Sequence, residues 1–401
     1  MEQLSQSTIE FIRAHSRDDV RLLALQAPRY PDVDMPAAIV QIAGRQAAAN
    51  KIPSWQSIEE LWYPRHLSME QCSSEITAQY KSTLADGETL TDLTGGFGID
   101  CAFMASRFRK VSYVERQEEL CEIAKHNFPL LGLKHITVYN EDGVAHLQKM
   151  EPVDCIFIDP ARRNEHGGKT IAISDCEPDV AELEELLLSK GKQIMIKLSP
   201  MLDLTLALKS MKHVREVHVI SVNNECKELL LIIGNEPSRL IPIHCINLTS
   251  KEKQTFTFTR EGELTSECLY TKELGKYLYE PNASILKAGA FRNIASRYEV
   301  KKLHPNSHLY TSDELVENFP GRSFRITGVC TLNKKEIKAV LGDIRKANVT
   351  VRNFPASVAE LRKRIKLSEG GDVYLFATTL NNEQKVLIRC EKVLHPEQKA
   401  T

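Results

Sequence analysis

Along residues 1–86 the apolar positions recur at helical spacing. Ile9, Ile12, Val20, Leu23, Ile39, Ile42 and Ala43 follow that pattern, and Pro28, Pro31, Pro36, Pro53 and Pro64 punctuate it. Ser73-Ser74-Glu75-Ile76-Thr77-Ala78-Gln79-Tyr80 opens on an N-cap-like serine and leads towards the next segment. From Glu88 to Gly234 short apolar runs alternate with helical stretches. They predict strands at Thr89–Leu93, Lys110–Val114, Ile136–Tyr139, Asp154–Ile158, Gln193–Lys197, Val217–Val222 and Glu228–Ile233. Helices such as Ile99–Ser106, Gln117–Asn127 and Val180–Leu188 lie between them. Such alternation implies a mostly parallel sheet covered on both faces. Only a turn around Asn223-Asn224-Glu225-Cys226 joins the last two strands. It is too short for a crossover helix, so that pair must be antiparallel.

The pattern is weaker over residues 238–320. Thr255–Thr259 alternates as a strand, Thr259-Arg260-Glu261-Gly262-Glu263 reads as a hairpin turn, and Tyr277–Ile285 leads into one helix through about Tyr298. The remainder is clearer: strand Ser323–Ile326, helix Lys334–Lys346, strand Val349–Arg352, helix Ser357–Ile365, and strands Val373–Ala377 and Val386–Cys390. A βαβαββ unit of this size predicts a small α+β domain with an independent core. The expected division is a helical region at 1–86, an α/β core at 87–237, a connecting α+β region at 238–320 and a last domain at 321–401.

Composition adds one asymmetry. The 401 residues are 42% hydrophobic and 26% charged, enough to bury cores and unlike a disordered chain. The net charge of −1 speaks against a nucleic-acid binder until it is divided. Residues 321–401 hold 16 Lys and Arg against 8 Asp and Glu, net +8, which leaves 36 against 45, net −9, in residues 1–320. A basic end on an acidic body suggests that one part holds a polyanion. The longest apolar run, about Leu229 to Ile233, is far from spanning a bilayer, and the N-terminus does not read as a signal peptide. Ten cysteines with no CxxC pair suit reduced thiols in a cytoplasmic protein. Pro305 between His304 and His308 discourages a helix presenting both to a metal, so no metal is expected.

The candidate chemistry sits at the first strand. Thr91-Asp92-Leu93-Thr94-Gly95-Gly96-Phe97-Gly98-Ile99-Asp100 is a strand ending in an acid, then a glycine-rich turn, then a helix start. Glycines there let the backbone pass close to a ligand. Glu115 ends the second strand, placed to accept hydrogen bonds from both ribose hydroxyls of a nucleoside. Asp142 follows the third strand and Asp159-Pro160 the fourth. Taken singly, each acid is as readily a helix cap or a turn residue. Four of them along one edge of an open α/β sheet point to a ligand. The turn is not the GxGxxG of dinucleotide enzymes, and Asp100 would repel a pyrophosphate at the helix start. A ligand bearing a cation and no phosphate suits the set better, and S-adenosylmethionine is one.

DLTGGFGID, Glu115 and IFIDPARR resemble the motifs of class I, seven-stranded S-adenosylmethionine-dependent methyltransferases. YLYEPNASILKAG and the basic tail are similar to a bacterial group of these enzymes with a C-terminal THUMP-like domain. The resemblance implies a seven-stranded Rossmann-like α/β methyltransferase core with an N-terminal helical region and a C-terminal α+β, THUMP-like or ferredoxin-like, module. It implies S-adenosylmethionine as cofactor, with Asp92, Thr94, Gly95, Gly96 and Gly98 along its methionine portion and sugar. Glu115 would then hold the ribose and Asp142 the adenine amino group. Ser74 and Thr77 lie where related RNA methyltransferases cover the cofactor, but helix capping and packing is the preferred explanation of both.

On the acceptor side, methyl transfer needs alignment, exclusion of water and, for an amine, an oriented oxygen or proton acceptor. Asp159, followed by Pro160, is the best-placed candidate. Base-amino methyltransferases usually carry Asp/Asn-Pro-Pro-aromatic here, whereas this chain has Ala161 and Arg162, which puts amine methylation of a base in doubt. The Asp-Pro-x-Arg form is also similar to C5-uracil methyltransferases, yet Lys197-Leu198-Ser199-Pro200 lacks their cysteine nucleophile. Arg162, Arg163 and Lys197 suit a phosphate or an anionic substrate, and Gly167–Lys169 reads as a substrate-side loop. In the tail, Lys334, Lys335 and Lys338 share one helix, and Arg362, Lys363, Arg364 and Lys366 mark the end of the next. The expectation is a methyltransferase acting on structured RNA, with Lys363 and Arg364 among the phosphate contacts. The alternatives are a small-molecule methyltransferase and a non-catalytic S-adenosylmethionine- and RNA-binding protein.

Overall fold

Five helices precede the first strand: α1 (Gln6–Ala14), α2 (Val20–Leu25), α3 (Met35–Lys51), α4 (His66–Gln71) and α5 (Glu75–Ser82). Caps set their starts, since Ser5, Asp19 and Asp34 each accept a backbone N–H of the first turn. Phe11, Ile12, Leu23, Met35, Ala38 and Ile42 close a small core among the first three. The computed structural model describes residues 4–162, 172–236 and 238–393. It divides the chain into two units, residues 1–217 with 228–239, and residues 218–227 with 240–401.

In the first unit strands and helices alternate: β1 (Thr89–Asp92), α6 (Ile99–Ala105), β2 (Lys110–Glu115), α7 (Glu118–Leu130), β3 (Ile136–Asn140), α8 (Gly143–Lys149) and β4 (Val153–Ile158). After α9 (Glu184–Lys190) come β5 (Gly191–Leu198), α10 (Leu204–Ser210), β6 (Val214–Val222) and β7 (Glu225–Ile233). The strand order is β6-β7-β5-β4-β1-β2-β3. The pairs from β5 to β3 are parallel, and β7 runs antiparallel to β5. These seven strands keep the arrangement the alternation predicts, and two later strands continue the sheet beyond β6 to make nine. Central strands such as β4, β5 and β7 read as unbroken apolar runs because both faces are covered. Asn223 and Asn224 join β6 to β7 with φ of 49° and 64°, the two left-handed residues of a tight hairpin turn.

In the second unit β8 (Ile243–Leu248) and β9 (Lys253–Phe258) form an antiparallel hairpin closed by the Thr249 N–H on the Glu252 carbonyl. The expected hairpin turn at 259–263 is instead the start of α11 (Arg260–Thr265). Thr259 Oγ1 accepts the Gly262 N–H and begins a helix. After β10 (Tyr277–Pro281) the single expected helix is two, α12 (Ala283–Ala288) and α13 (Phe291–Arg297). Gly289, at φ 81°, ends the first, and Glu263 accepts the N–H groups of Phe291, Arg292 and Asn293 to cap the second.

The rest is β11 (Lys301–Lys302), β12 (Tyr310–Ser312), β13 (Gly321–Cys330), α14 (Lys334–Leu341), β14 (Asn348–Arg352), α15 (Val358–Ile365), β15 (Val373–Thr379) and β16 (Lys385–Lys392). These strands and β10 form one sheet in the order β11-β12-β10-β13-β16-β15-β14. The tail therefore lacks the wholly independent core expected of it. β13 is longer than its apolar segment and offers its other edge to β10, with Leu278 opposite Phe324. One face joins Leu278, Leu303 and Leu309 to Phe324, Phe376 and Ile388. The other face, under α14 and α15, is the tail's own: Leu341, Leu361, Leu375, Ala377 and Leu387.

Candidate active site

The glycine-rich turn is built by its neighbours. A Cβ on Gly95 would lie 2.2 Å from the Tyr113 ring, so only glycine fits beneath that side chain. Gly96 has φ 56°, and a Cβ there would meet only the Thr94 carbonyl at 3.7 Å, which leaves open space above the turn. Its N–H donates to Glu115 Oε2 at 2.9 Å. Gly98, at φ 86°, starts α6, and Phe97 points inward against Trp55 and Tyr63 of the N-terminal region.

The acids expected along the sheet edge occupy different electrostatic positions. Glu115 is buried, and its Oε1 accepts the Gln117 N–H at 2.8 Å. Each carboxylate oxygen thus holds one backbone donor and keeps lone pairs for a vicinal diol. Asp92, at the end of β1, accepts the Thr94 N–H at 3.0 Å. Burial, reinforced by Asp100 and Asp159 nearby, pushes its carboxyl up to about 8. Asp142 caps α8, its Oδ1 accepting from Val144 and Ala145 at 2.9 Å. Asp159 follows β4, and its N–H donates to Thr94 Oγ1 at 2.6 Å, which ties the glycine turn to the Asp159-Pro160 loop. Ser74 and Thr77 bond to each other at 3.2 Å.

A charged cluster that the sequence motifs mark only in part underlies these groups. Lys197, at the end of β5, places Nζ 2.6 Å from Asp159 Oδ2 and 3.3 Å from Asp100 Oδ2. Burial opposes its charge, but Asp159 and Asp100 hold the ammonium well above its ordinary value. Lys81, on α5, is fully buried and lies 2.9 Å from Asp100 Oδ1 and 2.8 Å from both carboxylate oxygens of Glu228 on β7. Ser73 joins in, donating to Asp100 at 2.7 Å and accepting from Lys81 at 2.8 Å. Burial would raise the Asp100 carboxyl, yet the two ammonium groups outweigh it and bring it down to about 2. Lys197 is therefore engaged by carboxylates, not open towards an anion. Helix α5, the start of α6, the ends of β4 and β5 and Glu228 of β7 are locked together by ion pairs that only tertiary structure brings into contact.

The arrangement suits a cationic nucleoside. An open turn beneath Gly96, a carboxylate with spare acceptors at the end of β2 and a surplus of acids around two lysines could hold a sulfonium with its ribose. Among solved structures, a candidate methyltransferase from Porphyromonas gingivalis W83 is 36% identical, covers 97% of this chain and 98% of its own, and superposes with a TM-score of 0.86. The THUMP domain-like family matches residues 321–392, and a ferredoxin-like domain family matches 277–320. The chain belongs to the class I S-adenosylmethionine-dependent methyltransferases that carry a C-terminal THUMP-like domain. S-adenosylmethionine is its cofactor. The protein-L-isoaspartate(D-aspartate) O-methyltransferase family matches residues 60–164 of this methyltransferase. An uncharacterised S-adenosylmethionine-dependent methyltransferase of Mycobacterium tuberculosis H37Rv is 21% identical over 311 residues, 76% of this chain and 81% of the relative.

The substrate-side candidates are spread more widely. Arg163 and Gly167–Lys169 lie outside the described residues, as does the Arg162 side chain. Lys363 and Arg364 are exposed on α15, in the second unit. Ser73, Lys81 and Glu228 are the members of the site that sequence reasoning missed. A lysine inside the predicted helix before β1 and a glutamate opening an apolar strand were the available signals.

Proposed function

We propose that this methyltransferase acts on structured RNA, docked by the basic face of residues 321–401. The observation that carries this reading is the state of the cations there. Lys334, Lys335 and Lys338 on α14, and Lys363, Arg364 and Lys366 at the end of α15, are all exposed. None of them is ion-paired among the described residues. Both helices cover one face of the sheet through Leu341 and Leu361, so their charges share a surface. Cations held on a rigid face without protein partners suit phosphate contact that positions RNA without reading its sequence. The THUMP domain-like match over the same residues supports the assignment.

In this reading Asp92, Thr94, Gly95, Gly96 and Gly98 line the methionine portion and sugar of the cofactor. Glu115 takes the ribose hydroxyls, and Asp142 offers Oδ2 to the adenine amino group while Oδ1 caps α8. When bound, S-adenosylmethionine supplies an electrophilic methyl group. The chain supplies orientation: Lys197 and Thr94 fix Asp159 beside the cofactor edge, where its carboxylate can align the acceptor and take its proton, with Pro160 stiffening the loop. Arg162 and Arg163 follow Pro160 closely in the sequence, and their charge suits a phosphate of the substrate. Mass-spectrometric nucleoside profiling of RNA from a strain lacking this gene tests the assignment. A methylated nucleoside missing from that RNA is the expected result. An unchanged profile would move the acceptor to a small molecule.

A further inference from the structure

The second unit holds a pocket of about 380 Å³ that the methyltransferase reading leaves unused. That volume falls in the range of small-ligand sites, roughly 300–1,000 Å³. Ten of its twelve lining residues are polar types, and the amides are the largest group: Asn223 and Asn224 from the β6–β7 turn, Asn247 and Gln254 from the β8–β9 hairpin, and Asn282 before α12. Part of this amide set holds the wall together. Asn247 Oδ1 accepts the Asn224 N–H at 2.8 Å, and Gln254 Oε1 accepts from Asn282 at 2.9 Å.

Asn224 Oδ1 also accepts the Ala283 N–H at 2.7 Å, and the Gln254 NH2 donates to Glu252 at 2.7 Å, so the capacity left for a ligand is smaller. The Asn223 amide has no hydrogen-bond partner among the described residues, and the Asn247 NH2 reaches Gln254 only at 3.4 Å. Ser323 lines the pocket with a buried hydroxyl that also lacks a partner among the described residues. A buried hydroxyl without a partner is uncommon in a folded protein, and a ligand's polar edge would satisfy it once the Ser323 side chain rotates towards the pocket. Cations flank the amides. Lys392 is exposed and not ion-paired among the described residues. Arg322 shares the buried Glu280 with Arg352, so one positive charge of that trio is not balanced.

We propose that this pocket holds one nucleotide, its base on the amides and Ser323 and its phosphate on Lys392 and Arg322. Amide side chains offer a donor and an acceptor side by side, which is what the edge of a base requires. A neutral sugar would leave the two cations without a purpose, and a metal ion would find one carboxylate, Glu252, in the lining. The inference rests on the RNA reading for the source of the nucleotide, an unpaired residue of the substrate, and a free mononucleotide shares the same chemistry.

The test uses the full-length protein with S-adenosylmethionine bound. Fluorescence anisotropy follows a labelled single-stranded oligoribonucleotide, with the four ribonucleoside 5′-monophosphates as competitors. Three variants probe the pocket: Asn223→Gly, which keeps the left-handed turn, Ser323→Ala, which removes a hydroxyl with no partner among the described residues, and Lys392→Glu. Each should weaken the oligonucleotide roughly tenfold while cofactor affinity and melting temperature stay unchanged. A merely structural role for Ser323 would move the melting temperature instead, and that result overturns the assignment. Oligonucleotide binding lost in Lys363→Glu/Arg364→Glu but unchanged in all three pocket variants overturns the pocket and leaves the RNA reading standing. Monophosphates that bind and lose affinity in the variants, with no gain from the longer chain, support the nucleotide site and overturn RNA as its source.

Discussion

Two sets of cations divide the labour in this chain. Lys81 and Lys197 are buried in the first unit, each touching two carboxylates. Lys363 and Arg364 stand exposed on α15 with no ion-pair partner among the described residues. The buried pair has left water and is committed to geometry: it fixes α5, the start of α6, the end of β5 and Glu228 of β7 around the proposed cofactor edge. The exposed pair keeps its hydration and remains free to exchange it for a phosphate. The same residue types thus act as fasteners in one region and stand open to a ligand in the other, and net charge alone would not distinguish them.

The sharpest way to break that contrast is to remove a fastener. Lys81→Met leaves Asp100 and Glu228 buried with one ammonium fewer, and breaking a buried pair costs about 3–5 kcal/mol. Urea unfolding should show that loss, and adding Asp100→Asn and Glu228→Gln should restore much of it. A loss below about 1 kcal/mol would mean that the cluster is hydrated and its lysine is no fastener. Next in size is Glu115→Ala, which deprives the Gly96 and Gln117 N–H groups of their acceptor and removes the proposed ribose contact. Calorimetry should find cofactor affinity lower by about 2–3 kcal/mol with the fold intact. Full affinity would misplace the pocket.

Much of this was legible in the sequence, because the α/β core is a local pattern. Apolar runs, short turns and glycines gave the seven strands and placed Asp92, Glu115, Asp142 and Asp159 at their ends. Lys81 and Glu228 are 147 residues apart, and neither period nor motif links them. Thr259 and Glu263 read as turn residues because their true partners differ in kind. One caps its own helix, and the other caps a helix 28 residues on. The long β13 could not announce a second neighbour, since edge pairing leaves no mark on the strand that receives it.

A smaller effect tests the electrostatics of the acids themselves. Asp92 ordinarily titrates near 3.8 and is pushed to about 8 in the folded protein. Because the folded value is raised, the stability this group contributes is complete below about 3.8 and is lost as pH rises through about 8. A bound sulfonium favours the ionised form, so cofactor binding should release a proton and strengthen by about tenfold between pH 7 and 9. Calorimetry in buffers of different ionisation enthalpy would detect that proton. Asp92→Asn should flatten the pH dependence, and a flat profile in the unaltered protein would show that Asp92 is already ionised.

The least disturbance to the molecule itself is expected at its exposed cations. Lys363→Glu with Arg364→Glu touches no core residue, since Leu361 and Ile365 carry the packing of α15, and should change stability by no more than about 0.5 kcal/mol. Its effect belongs to the ligand. If both side chains meet phosphates, the slope of log affinity for RNA against log salt should become shallower by about 2, with S-adenosylmethionine affinity unchanged. A slope that does not move would place the RNA elsewhere on this domain, and a loss of stability would show that these two cations are fasteners after all.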